Sequence, residues 1–95
     1  MVDIPFVRMP SNTACQTGAE IATEARCREA TEWASSLGLN PVRQLQVSHF
    51  VGLPFQCSVQ ILGIGDDTFH WNFNSQTDNS RFTTGEFVMI CEKVY

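Results

Sequence analysis

Residues 55–74 read FQCSVQILGIGDDTFHWNFN, and two alternating runs in this stretch decide the fold class. Phe55, Cys57, Val59 and Ile61 alternate with Gln56, Ser58, Gln60 and Leu62. Phe69, Trp71 and Phe73 alternate with His70, Asn72 and Asn74. A period of two is that of a strand with one face in the core and one face in water. Gly63-Ile64-Gly65-Asp66-Asp67 lies between the runs. Such residues turn the chain and hydrogen-bond their own backbone, so the two runs read as the arms of a hairpin.

Upstream the period changes. Over residues 23–37 Cys27, Ala30, Ala34 and Leu37 recur at helical spacing, with Trp33 at the edge of the stripe. Thr23 is a suitable N-cap, and Glu24 places an anion in the first turn, where the helix dipole favours it. Glu24/Arg28 and Arg28/Glu32 are i,i+4 pairs of opposite charge on the outer side. Gly38 stands where a left-handed residue ends a helix, and Leu39 can fold back on the last turn. Residues 10–20 read as a loop. After Pro41, Leu45, Val47 and His49 alternate with Gln44, Gln46 and Ser48 as a further strand. Phe87–Cys91 is apolar on both faces, as a central strand should be, and 75–85 is a long polar loop. Residues 2–9 are apolar and β-prone, but Pro5 confines them to an edge strand or an extended arm. The order predicts a single α+β domain over 1–95. One helix (about 23–37) packs on an antiparallel sheet of about four strands, and 1–10 forms the arm.

Composition narrows the function. The chain has 95 residues, a formal net charge of −4, 43% hydrophobic and 17% charged residues, which suits a globular domain. Six Lys and Arg are too few for a phosphate-binding patch, so nucleic acid is not an expected partner. No run approaches the ~20 apolar residues that span a bilayer, so no membrane insertion is expected.

Four cysteines, Cys15, Cys27, Cys57 and Cys91, in so short a chain point to a disulfide framework in an oxidising compartment. No C-x-x-C occurs, which disfavours a zinc ribbon or a thioredoxin-like motif. Cys27 lies on the apolar stripe of the helix and Cys57 on the apolar face of its strand. A helix packed on the sheet brings them together as Cys27–Cys57 and leaves Cys15–Cys91. A Cys15–Cys27 bridge across the helix entrance remains open at this point. Met1–Phe6 has neither a basic nor an apolar leader region, so the chain reads as a mature fragment of a secreted or cell-surface protein.

The elements Cys27-x-x-Ala30, Leu37-Gly38-Leu39, Leu53-Pro54-Phe55-Gln56-Cys57-Ser58, Phe73-Asn74 and Ile90-Cys91-Glu92, with Cys15 upstream, form a pattern over residues 15–92. It resembles a short two-disulfide cysteine module of predicted secreted or surface proteins of marine microalgae. The module reads C-x-x-A-A, L-G-L, P-x-G-C, F-N and I-C-K. This chain departs from it at Gln56, where Gly is common, and at Glu92, where Lys is common. The layout is also similar to that of apple/PAN domains, which bind proteins or carbohydrates. That likeness is an analogy of fold, and fold does not fix function.

Several residue groups bear on chemistry. His70, Asn72, Asn74, Gln76, Asp78, Asn79 and Arg81 form a polar strip that runs from the expected outer face of the hairpin into the loop, and they are the candidate binding residues. Asn72, Asn74, Gln76 and Asp78 have a calcium-loop spacing in outline. Thr77 stands where the turn glycine belongs and Thr83 where the final Glu belongs, so no metal is expected. Cys57 or Cys91 with His49 or His70 would make a nucleophile and base only if the thiol were free. Asp66-Asp67 lacks the cross-cleft separation of a glycosidase pair. Trp71 is in phase with the core, whereas Trp33 is the aromatic expected at the surface. Together these features predict a non-enzymatic, disulfide-stabilised binding or adhesion module without cofactors. It would meet protein or glycan through the 75–85 loop and the outer sheet face. The alternatives are a structural subunit that self-associates through its arm (Ile4, Phe6, Val7, Met9) by strand addition, and a small cysteine-dependent hydrolase.

Overall fold

The computed structural model describes residues 3–10, 13–41, 43–49, 55–61, 67–73 and 87–93. In chain order the elements are β1 (Phe6–Arg8), α1 (Glu24–Thr31), a 3₁₀ turn (Ser35–Leu37), β2 (Gln46–Ser48), β3 (Gln56–Gln60), β4 (Thr68–Asn72) and β5 (Phe87–Glu92). The described strands form one sheet of five, ordered β1-β5-β3-β4-β2. The fifth strand is the N-terminal arm, which pairs antiparallel with β5 at the sheet edge that Pro5 permits. β3 and β4 form the expected antiparallel pair, with Cys57 opposite Trp71 and Val59 opposite Phe69. β3 also pairs antiparallel with β5.

β2 departs from the expected antiparallel sheet, because it runs parallel to β4. The reason lies at its start. The Asn40 amide donates to Asp67 Oδ2 at 2.8 Å, the Asp67 amide donates to the Asn40 carbonyl at 3.2 Å, and Pro41 forms a parallel bridge with Asp67. Asp67 therefore serves a distant backbone group 27 residues away. It sets the chain after α1 alongside β4 in the same direction.

The helix begins as its sequence predicts and ends early. Thr23 Oγ1 accepts from the Arg26 amide at 3.1 Å, and Arg28 pairs with Glu24 at 2.9 Å. Thr31 Oγ1 donates to the Arg28 carbonyl at 2.6 Å. In a continuing α-helix that carbonyl receives the Glu32 amide, which instead bonds Glu29 O at 3.0 Å. The chain tightens into i→i−3 bonds, so residues 32–37 are turns and 3₁₀ rather than helix. Gly38 has φ 75°, and the Leu39 amide folds back on the Ala34 carbonyl at 2.8 Å, as read from the sequence. Arg8 of β1 reaches the freed carbonyls, donating to Gly38 O at 3.3 Å and Leu37 O at 3.4 Å.

One face of the sheet carries the main core. Cys27, Ala30, Ala34 and Leu39 pack against Cys57, Val59, Phe69, Trp71, Val88 and Ile90, with Phe6 and Ile21 completing the cluster. Trp33 is half-buried against this core rather than free at the surface. Both disulfides form as Cys27–Cys57 and Cys15–Cys91. Spanning 30 and 76 residues, they are worth about 3.6 and about 4.5 kcal/mol on the loop-entropy account.

A charged knot ties α1 to the sheet edge. Arg26 grips both oxygens of Glu92 on β5 at 2.8–3.1 Å, pairs with Glu29 at 2.6 Å, and lies 4.4 Å from the centre of the Phe6 ring. Bidentate geometry and the aromatic face set this pair apart from an ordinary surface bridge. Arg26→Ala is expected to lower stability by about 1–2 kcal/mol. Guanidinium unfolding of the oxidised protein measures this, and an unchanged midpoint would show the pair to be idle.

Gln56 opens β3 with φ 70°, in the left-handed region that L-residues other than Asn, Asp and Gly rarely enter. Gln56→Gly should therefore raise stability by up to about 1 kcal/mol. A thermal scan that shows loss instead would mean the Gln56 side chain makes up for the strain.

Candidate functional site

Two residues of the expected binding strip can be placed in the structure. His70 and Asn72 lie on β4, 7% and 0% exposed, so neither belongs to a solvated outer face. Asn74, Gln76, Asp78, Asn79 and Arg81, with the rest of 75–85, lie outside the described residues. The correction has a topological cause. β4 pairs with β3 as expected, but β2 flanks it on the other side, so it is an interior strand, and all five of its residues are buried. A strand buried on both faces keeps polar residues only in a polar interior layer. Ser58, Thr68, His70 and Asn72 form that layer on the face away from α1. Phe87 closes on it, its ring centre 6.1 Å from that of His70 in a near-perpendicular arrangement. Ser58 Oγ is fully buried without a hydrogen-bond partner, an energetic cost carried by this layer.

Burial pushes the His70 imidazole below its ordinary value of 6.5, with a smaller opposing effect from a hydrogen bond involving the Thr68 backbone. The unfolded chain thus binds a proton that the folded chain resists. Stability is intact above pH 6.5 and declines as pH falls below it toward the folded-state value. Denaturation midpoints at pH 7.5 and 5.5 should separate for the native protein and converge for His70→Gln. His49→Gln, at an exposed position, should keep the separation.

The exposed residues are elsewhere. Val47 on β2 and Phe73 just past β4 are 39% and 52% exposed. His49 follows β2, and its ring centre is 5.7 Å from that of Phe73. The Phe73 amide donates to the Ser48 carbonyl at 3.3 Å, which holds the two chain segments side by side. Val47 lies opposite Trp71, so Val47, His49 and Phe73 share the helix-bearing side of the sheet at its outer edge. β2 is exposed along its whole length and is an edge strand of the sheet formed by the described residues. Gln44, Gln46 and Ser48 alternate with Val47 and His49 and are exposed on the other side of the strand.

The sequence reading put Val47 and Phe73 in the apolar phase of their strands. The period of two gave their phase correctly but not the point where the sheet ends. β3 starts at Gln56 opposite Asn72, so Phe73 has outrun its neighbour. The signal available was Pro54, which limits how far β3 extends toward its N-terminus.

A second concavity lies at the opposite edge. A cavity of about 160 Å³ is lined by Val7, Met9, Gln16, Ala19, Cys91 and Glu92. No cysteine is free, so neither His49 nor His70 has a thiol to activate. Among the described residues no group of three His, Cys, Asp or Glu is placed to hold a metal ion, and no helix is long and apolar enough to cross a membrane.

No family model matches the chain. No curated protein and no solved structure matches it either.

Proposed function

We propose that this domain is a non-enzymatic, disulfide-stapled binding module of a secreted or cell-surface protein, and that it meets protein or glycan through the Val47–His49–Phe73 patch. The single observation that carries the reading is this exposed aromatic and aliphatic cluster at an edge strand of the described sheet. Contiguous exposed apolar groups mark contact surfaces, and an aromatic ring offers rigid area at low entropic cost. The two disulfides suit an oxidising compartment, in keeping with the resemblance to secreted microalgal modules. Phe73 leads directly into 75–85, so the patch and the polar loop adjoin in sequence.

The apolar character of Val47 and Phe73 and the position of β2 at the edge of the described sheet favour an extended protein segment over a sugar. Titration of labelled domain with a glycan panel and with fractionated extracellular protein, followed by amide shift perturbation, tests this. The expected result is saturable shifts at 46–49 and 72–73. A Val47→Ser, Phe73→Ser variant should bind at least about tenfold more weakly with its thermal midpoint retained. Absence of saturable shifts with every sample would overturn the proposal.

A self-association reading rests on β1. This strand is the other edge of the described sheet, and Val7 there is 37% exposed. Strand addition through it would build an assembly, which light scattering over a concentration series detects as a rising mass that Val7→Lys abolishes.

A further inference from the structure

The two disulfides sit in different surroundings. Cys27 and Cys57 are each 0% exposed, and their bond crosses from α1 to β3 inside the main core. Cys15 is the one cysteine that is only half-buried. Its partner Cys91 belongs to a separate small cluster with Met89, against which Met9, Cys15 and Phe87 pack. The cavity of about 160 Å³ opens beside this bond, with Cys91 in its lining.

Exchange of a disulfide requires a thiolate to reach a sulfur along the S–S axis, so access separates bonds of equal chemistry. Cys15, half-buried, is the sulfur that a small thiol reaches from outside, and Cys91, 2% exposed, is the leaving sulfur.

We propose that Cys15–Cys91 is a thiol–disulfide exchange site for a small-molecule thiol, and that Cys27–Cys57 is inert while the domain stays folded. The incoming thiolate attacks Cys15 Sγ and forms a new S–S bond to it. The Cys15–Cys91 bond breaks, and its electron pair leaves on Cys91 Sγ, which takes a proton from water. A second thiolate attacks the sulfur of the bound thiol, releases the thiol as its oxidised dimer, and leaves Cys15 to be protonated. The protein gains two electrons and two protons, and two thiols are oxidised to one disulfide.

Opening this bond has a local effect. Ala19 stays tied by the Glu92 amide at 2.7 Å, Glu20 stays bridged to Cys91, and β1 stays paired with β5. Residues 13–18 lose their covalent tie to β5, and Met89 loses the cover of Cys15. The exchange is therefore a reversible uncovering of one spot on the sheet, not an unfolding.

The test uses the native oxidised protein without denaturant. It is exposed to graded dithiothreitol, quenched with iodoacetamide at intervals, and mapped by peptide mass. Cys15 and Cys91 should be alkylated at least about tenfold faster than Cys27 and Cys57. With 2-mercaptoethanol in place of the dithiol, the trapped adduct should sit on Cys15. Hydrogen exchange on the partly reduced protein should rise at 13–18 and stay low in α1, β3 and β4. Equal rates for the two bonds, faster loss of Cys27–Cys57, an adduct on Cys91, or loss of protection throughout would each overturn the proposal. So would resistance of both bonds until guanidinium is added.

Discussion

An eight-residue helix makes too few internal hydrogen bonds to persist alone in water, and α1 has only Cys27 and Ala30 to press into the core. The Cys27–Cys57 bond makes this helix part of the fold. It fixes one turn of α1 over β3, and every other helix contact follows from that anchor. Ala30 and Ala34 are small enough to bring the backbone close to Phe69 and Trp71. Arg26, one residue before the anchor, is swung toward β5 and grips Glu92. The chain then leaves the helix at Gly38, where Arg8 meets it, and enters the Asp67 clamp that orients β2. In a domain this small, which buries only about 65% of its unfolded surface, a covalent anchor at the helix–sheet interface substitutes for a larger core.

Much of this was legible in the residues. The helix start at Thr23, the left-handed turn at Gly38 and the phase of Cys27 and Cys57 each follow from local rules that tertiary structure did not override, whereas the α-helix itself stops at Thr31, short of the expected 37. Pro5 placed the arm at an edge correctly. The misreadings of the sheet share one physical cause. Periodicity reports which residues share a face, but not whether both faces are covered or where a neighbouring strand stops. His70 and Asn72 were therefore assigned to water, although β4 is enclosed on both sides, and Phe73 shares the phase of Phe69 and Trp71 yet has outrun β3. The parallel placement of β2 depends on the Asn40–Asp67 contact across 27 residues, which no local pattern announces.

The two faces of the sheet divide the work of the domain. The helix side is apolar, aliphatic and aromatic together, and holds the covalent anchor. The other side holds Ser58, Thr68, His70 and Asn72 in a buried polar layer. Such a layer adds little to stability, and with Ser58 Oγ unpartnered it takes some away. The proposed contact surface is on the helix-bearing side but away from the packed core. It lies at the rim, where β2 is short and exposed, so a partner can engage the domain without disturbing either layer.

The pairing of β1 with β5 has a mechanical consequence. The Lys93 amide bonds the Pro5 carbonyl at 2.9 Å, so the two described ends of the chain leave from the same point. Tension applied there peels β1 from β5 one hydrogen bond at a time rather than shearing the ladder as a block. The peeling reaches Met9, whose amide bonds Met89 O, and then arrives at Cys15–Cys91. The covalent bond stops it. Roughly a dozen residues at about 3.4 Å each are paid out before the load meets sulfur, and α1, β3 and β4 carry none of it. A domain built in this way yields a short, soft extension and then a hard stop.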